Sequence, residues 1–258
     1  MKNKRWPIIL NFITLAGVLI MNTLAVSLPL NGLTTKQVSD SFDIYFVPAG
    51  YVFMIWGVIY AELIAYVIYR ALPRQRENQD LAKVDSWFVL SNIANALWLV
   101  CFHYQQFVMA LVLMVVLLAC LIIIFRQLKI GKRRTDIPWK WIVETPFSVY
   151  LGWVSVATIA NVTQVLDYFK WNRFGIAPEI WFIITVLLIV IISALMSFTR
   201  RAFEFTLVLI WALVGIALKF PNVPMVNYSA WGGAILIAFL GMVALAIPIK
   251  MDQSNTWS

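Results

Sequence analysis

Charge is scarce in this sequence. Asp, Glu, Lys and Arg make up 12% of the 258 residues, against about 25% in soluble domains. Hydrophobic residues reach 62%, against about 45–50%. So little polar surface cannot cover a water-soluble globule. Histidine occurs once, at His103. No paired carboxylate or cysteine accompanies it, so an interfacial polar residue is expected there and no metal site. Cys101 and Cys120 lie in apolar segments without metal-type spacing, which makes them core-filling thiols. Phosphate-cradling glycine loops and nucleophile elbows are missing, so enzymatic activity has no support. Polar and apolar residues do not alternate over ten-residue stretches, which excludes an outer-membrane barrel. The net charge of +8 does not point to nucleic acid. The basic residues stand at the ends of apolar blocks, which is the pattern of membrane topology and of contact with anionic lipid.

What the sequence has in abundance is long apolar blocks. They predict an all-α fold, a polytopic transmembrane bundle of about eight spans near 6–28, 49–72, 84–102, 106–128, 141–166, 179–198, 202–220 and 229–249. Each approaches the roughly 20 residues needed to cross the hydrocarbon core, and only helices satisfy their own backbone in lipid. Pro29, Pro73, Pro138, Pro178 and Pro221 punctuate the connections. Lys2, Lys4 and Arg5 ahead of the first block loosely imitate a signal peptide. That block exceeds the roughly 7–15 residues of an h-region, so an uncleaved helix is expected.

Counting Lys and Arg on alternate sides gives an orientation. Sixteen of the 20 fall on the side of the two termini: the N-terminal cluster, Arg70, Arg74, Arg76 and Lys83, the run from Arg126 to Lys140, and Arg200, Arg201 and Lys250. The remaining four are Lys36, Lys170, Arg173 and Lys219. The asymmetry predicts a multi-pass plasma-membrane protein with both termini cytoplasmic. Trp6, Trp87, Trp139, Trp141, Trp171 and Trp257 sit where an aromatic belt is expected. Trp56, Trp98, Trp153 and Trp211 lie deeper and call for a packing or binding role.

Three spans share a pattern. Phe53, Trp56 and Tyr60 recur at spacings of three and four on the second span and so share one helix face. Pro146, Tyr150, Trp153, Ala157 and Asn161 form a stripe on the fifth, beside a face of small residues, Ser148, Gly152 and Ser155, suited to close helix approach. Asn92 and Asn95 lie one turn apart on the third, followed by Trp98. Amides in lipid face the bundle to find partners. Interhelical packing and a binding site both stay open on these residues alone. The second describes an interior for a flat, greasy ligand with some polar edges.

The same stretches carry a resemblance. Pro48-Ala49-Gly50-Tyr51-Val52-Phe53 with Trp56 and Tyr60, Asn95-Ala96-Leu97-Trp98, and the run from Tyr150 through Trp153 and Ala157 to Asn161 resemble the second-, third- and fifth-span motifs of the translocator/tryptophan-rich sensory protein (TspO/MBR) family. The resemblance covers about residues 6–170. It implies a TspO-like five-helix bundle (1–170) followed by three additional helices (171–258), for which the motifs offer no counterpart. It further implies binding of porphyrins or other hydrophobic ligands, with the first loop, 29–47 including Asp40 and Asp43, as a lid. The resemblance implies a pocket lined by Tyr51, Phe53, Trp56, Asn95, Trp98, Trp153, Ala157 and Asn161, and the span patterns add Tyr60, Asn92 and Tyr150 to the expected ligand-binding set. Tyr51, Ala49 and Val156 depart from the family's tryptophan, proline and phenylalanine. No cofactor is required, and a tetrapyrrole enters as a ligand. The expected partners are membrane lipid and a hydrophobic small molecule, with a homo-oligomer left open.

Glu62 stands apart, near the middle of the second span, where a charged carboxylate costs about 2.5–3.5 kcal/mol. It is either a protonated clasp to a neighbouring helix or a proton or polar site. The latter supports a second functional class, a proton-coupled secondary transporter, although no interrupted, repeated helices of that kind are seen. Glu144 and Glu204 are expected to be helix-start charges.

Overall fold

The structure, a computed structural model, describes residues 5–28 and 30–247. Lys2, Lys4, Pro29, Lys250 and Trp257 lie outside these. Eight long helices follow one another: α1 (Arg5–Ser27), α2 (Ile55–Ala71), α3 (Gln79–His103), α4 (Phe107–Gln127), α5 (Thr145–Tyr168), α6 (Pro178–Arg200), α7 (Phe203–Lys219) and α8 (Pro224–Ala246). There is no strand among the described residues. Among the described residues, seven segments are long and apolar enough to cross a membrane. The exception to the expected eight is α7, with 17 residues, about 26 Å at 1.5 Å per residue. Its ends nevertheless meet opposite faces of the bundle. Lys219 pairs with Asp40 in the first loop, and Glu204 pairs with Lys140, ahead of α5.

Local chemistry sets the ends. Helix α3 begins five residues before the expected span because the Asn78 side chain accepts from the N–H groups of Asp80 and Leu81, at 3.0 and 3.3 Å. Pro178 and Pro224 each open a helix, where the missing N–H removes no intrahelical bond. The fifth span starts at Ile137, earlier than expected, and passes through one π-helical turn, Lys140–Glu144, before Thr145-Pro146. Proline at 146 cannot donate to the preceding turn, and a π register there absorbs the mismatch.

Helix α1 lies against α3, α3 against α4, α4 against α5, and α2 against α1 and α5. Helices α6, α7 and α8 pack on one another, with α7 also seated on α5. The small face expected on α5 makes that seat. A Cβ added at Gly152 would stand 3.0 Å from the Phe205 carbonyl oxygen and 3.1 Å from the Val208 Cβ of α7. Backbones this close gain dispersion contacts that lipid tails cannot match.

Several side chains counted as interfacial lie inside. Arg70, counted as a loop cation, is fully buried. It grips Asp85 through Nε at 3.1 Å and Nη2 at 2.8 Å, and donates to the Gln75 carbonyl at 2.6 Å. Asn11 of α1 donates to the same carboxylate at 2.8 Å. The bidentate fork lets the charge stay buried. Trp139, expected in the belt, is buried beneath the Arg133 guanidinium, 4.9 Å from its ring. Glu144, expected as a helix-start charge, is buried in the π turn 3.6 Å from Lys140. Glu204 does sit in the first turn of α7.

Truncating either partner of the Arg70–Asp85 pair leaves a charge unpaired in the interior, which costs about 3–5 kcal/mol. Arg70→Met and Asp85→Leu are each expected to lower the thermal unfolding temperature sharply in detergent. The double variant should recover much of the loss, and a double variant no better than either single one would refute the account.

Candidate functional site

Trp56 from α2, Trp98 from α3 and Trp153 from α5 are all buried and meet in the bundle interior. The Trp56 ring centroid lies 6.1 Å from that of Trp98 and 6.2 Å from that of Trp153, nearly perpendicular to the latter at 89°. Phe53 stands edge-on to Trp153 at 6.0 Å. Trp98 stacks on Phe102 at 5.4 Å. Edge-to-face and offset arrangements of this kind suit the ring quadrupoles.

Amides fix the rings in place. Trp98 Nε1 donates to Asn161 Oδ1 at 3.1 Å, and Asn161 returns its own amide hydrogen to the Ala157 carbonyl at 2.8 Å. Asn95 donates to Tyr150 Oη at 2.9 Å and to Tyr60 Oη at 3.4 Å, while Asn22 of α1 donates to Tyr60 at 3.0 Å. Tyr60 stacks beneath Trp56 at 5.4 Å. These pairings tie α1, α2, α3 and α5 at one level.

Beside the rings is a void of about 30 Å³, lined by Phe53, Trp56, Trp98, Trp153, Ala157 and Asn161 together with Val156, Gln164 and others, with Thr35, Ser39 and Pro48 closing it. It has room for about one water. Trp153 Nε1 and Gln164 Oε1 are buried without a hydrogen-bond partner among the described residues. Buried polar atoms are nearly always satisfied, so this donor and this acceptor on the lining mark where a polar edge would be welcome.

The expected set therefore divides. Phe53, Trp56, Trp98, Trp153, Ala157 and Asn161 line the void. Tyr60, Asn95 and Tyr150 form the layer supporting it. Tyr51 does not turn inward: it is 36% exposed, with its ring edge-on to Trp211 of α7 at 5.3 Å. Asn92 reaches Thr14 of α1 at 3.2 Å and ties two helices together away from the void. Among the described residues Glu62 has no side-chain hydrogen bond to a neighbouring helix, and its Oε2 is buried without a partner there. Of the two readings of Glu62, a clasp has no partner among the described residues.

Thr35 and Ser39 of the first loop stand over the void. The loop's short helix, Thr35–Asp40, is nucleated by a capping box between Thr34 and Gln37. His103 holds it down, and sequence reasoning missed this. The imidazole is fully buried at the end of α3, not interfacial. Nδ1 lies 2.9 Å from the Leu33 carbonyl and 3.3 Å from that of Leu30. A carbonyl only accepts, so Nδ1 carries a proton, and Nε2 lies 3.0 Å from the Thr35 hydroxyl. A second tie runs from Gln164 to Ser39 at 3.3 Å. Asp40 points away from the void, to Lys36 at 3.0 Å and to Lys219.

The TSPO-like protein family model matches residues 8–243. The chain belongs to this family. No curated protein and no solved structure matches it. The match runs on through α6, α7 and most of α8, past the end of the five-span motifs near residue 170. Geometry agrees with that continuity, because α7 of this TSPO-like chain braces the segment that closes the void. The Ala49 N–H donates to the Gly215 carbonyl at 3.1 Å, and Trp211 Nε1 donates to the Val52 carbonyl at 3.1 Å. Gly215 has no side chain because the side chain of Val52 occupies that space.

Partial burial works to raise the Asp40 carboxyl, but hydrogen bonds and charge from Lys219 and Lys36 outweigh it and hold the group below its ordinary 3.8. A lowered folded value means the stabilisation is full above 3.8 and disappears as pH falls through the folded value. Protection of the amides of residues 35–41 against hydrogen exchange, taken relative to their intrinsic rates, is expected to hold through neutral and mildly acidic pH and to fall only below the ordinary carboxylate range. Asp40→Asn should lower that protection and remove its pH dependence there.

Proposed function

We propose that this TSPO-like chain is a membrane protein that binds a flat hydrophobic ligand, of the porphyrin/tetrapyrrole or lipid-like class, beneath its first loop, as a sensor or carrier. One observation carries the reading. Three tryptophans from three helices converge on a small void whose lining also offers an indole N–H and an amide oxygen without partners among the described residues. Ligand pockets usually measure about 300–1,000 Å³, against about 30 Å³ here, so binding requires the lid to lift and the rings to part. The ties holding the lid helix are a few hydrogen bonds and an exposed ion pair, of the kind that opens locally at low cost. The reading places the protein in the plasma membrane with both termini in the cytoplasm, because the termini share the side that collects most Lys and Arg. It requires no cofactor and is compatible with a homo-oligomer.

Titration of the purified protein with protoporphyrin is expected to quench tryptophan fluorescence saturably. Trp153→Phe and Trp98→Phe should each weaken binding by about tenfold, roughly the value of one buried ring contact with its hydrogen bond. Saturable binding indifferent to both substitutions would place the ligand elsewhere.

A second reading, a proton-coupled secondary transporter, rests on Glu62, whose Oε2 is shielded and unpartnered among the described residues. Ionisable groups within spans mark proton and substrate paths by default. In vesicles with an imposed pH gradient, this reading expects ligand uptake that Glu62→Gln abolishes while protoporphyrin binding persists. Uptake that survives the substitution removes it.

A further inference from the structure

A second cavity, of about 380 Å³, opens between α5, α6 and the loop that joins them, with residues 43–46 of the first loop as one wall. None of the expected site residues lines it. Its walls along the helices are apolar: Ile159, Val162, Leu166, Phe182, Ile184 and Leu188. Even its threonines are apolar toward the groove's needs. Thr158, Thr163 and Thr185 spend their hydroxyls on the Val154, Ala160 and Trp181 carbonyls of their own helices, at 2.7, 2.8 and 2.9 Å. Water would find no partner along this length, and Val162, Ile184 and Leu188 form a lip exposed on the bundle's outer surface.

Polarity returns only at the lid end. There Asp43, Asp167, Arg173, Trp171 and Trp181 join the lining. Arg173 reaches Asp167 only at 3.5 Å and remains partly exposed, so its guanidinium keeps donors to offer. The Asp43 carboxylate is exposed and forms no ion pair among the described residues. The Trp171 and Trp181 rings lie 5.0 Å apart at 57°. The loop that presents Arg173 is held in a costly conformation. Arg173 and Phe174 both have left-handed φ, 56° and 54°, and a residue held so typically costs about 1–3 kcal/mol. Asn172 accepts from the Phe174 N–H at 3.1 Å and Trp181 donates to the Arg173 carbonyl at 3.0 Å to maintain it.

An apolar trough open to the hydrocarbon, ending at the interface in one cation, one free carboxylate and two indoles, has the polarity of a single amphiphile. We propose that the groove between α5 and α6 is a binding site for one zwitterionic phospholipid from the surrounding bilayer. One acyl chain lies along Val162 and Leu188, the phosphate meets Arg173, and the ammonium sits between Asp43 and the Trp171 and Trp181 faces. Guanidinium suits phosphate, and a carboxylate with ring faces suits ammonium.

The full chain is purified in detergent with equal amounts of phosphatidylethanolamine and phosphatidylglycerol of matched chains, delipidated stepwise, and weighed by native mass spectrometry. A single phosphatidylethanolamine is expected to remain after the other lipids leave, preferred about tenfold over phosphatidylglycerol, as one ammonium contact allows. Asp43→Asn should erase the preference while a lipid stays bound. Arg173→Gln should weaken retention of both lipids, and Val162→Trp should block the trough. Val112→Trp, exposed on α4, should change nothing. Melting curves check that each variant folds, and Leu188→Trp on the opposite lip replaces Val162→Trp if that one does not. Retention that is absent, equal for the two head groups, or unaffected by trough-filling variants would overturn the assignment.

Discussion

Asp85 lies almost wholly inside the protein, 2% exposed, where three helices meet. Its charge dictates what surrounds it. In hydrocarbon the hydrophobic effect does not distinguish a neighbouring helix from a lipid tail, so apolar faces alone leave the rotation of each helix about its axis open. A buried carboxylate removes that freedom, because an unpaired charge there costs several kcal/mol. Arg70 must come from α2 and Asn11 from α1, and once both reach Asp85 of α3 the three helices have one rotation and one height. Two further polar ties follow toward the lid. Asn95 joins Tyr150 and Tyr60, and Trp98 joins Asn161. The ring cluster lies between levels already fixed by hydrogen bonds, which is why Trp56 can be held about 6 Å from both other indoles, tilted against Trp98 and edge-on to Trp153.

Helix α7 extends this framework to the part of the chain outside the five-span motifs. Its glycine and tryptophan receive the turn at residues 48–52, so the segment that leads into the ring face of α2 is hydrogen-bonded to a helix more than 150 residues later in the chain. Its opposite end carries Glu204, bridged to Lys140 at 2.9 Å and accepting from Thr145 at 3.3 Å. A 17-residue helix shorter than the usual span is tolerated because so much of its surface faces protein. Phe205, Leu209, Ala212, Leu213 and Ile216 are all buried.

The fold class was legible because lipid permits few backbone solutions and the apolar blocks announce them. The ring stripes were legible too, since spacings of three and four place Trp56 with Tyr60 and Trp153 with Asn161 on single faces. Which way a face turns was less so. Tyr51 adjoins the motif but points to Trp211, and Asn92, one turn from Asn95, points to Thr14 on α1; neither direction is encoded by periodicity without the neighbour's position. Arg70 counted as a topological cation because a single arginine near a span end ordinarily reaches the interface, and only the carboxylate of Asp85, fifteen residues on in another helix, reverses that. His103 failed in the same way. Its partners are backbone carbonyls of a loop, which carry no signature in sequence.

The lid and the groove share a segment of chain, and the two proposals are therefore linked. Residues 35–39 close the void beside the tryptophans, while residues 43–46 wall the groove against α6. Tyr45 donates to Glu179 at 2.9 Å, and that bond raises the phenol above its ordinary range. Phe46 lies 6.4 Å from Phe182. A lipid seated in the groove would pack against this wall and favour the loop as it stands, with the void closed. A ligand that needs the lid raised then binds with an affinity reduced by the fraction of molecules already open. Linkage makes the effect reciprocal, so a ligand under the lid must weaken lipid in the groove by the same factor. In this arrangement, bilayer composition sets how readily the tryptophan-lined interior is reached.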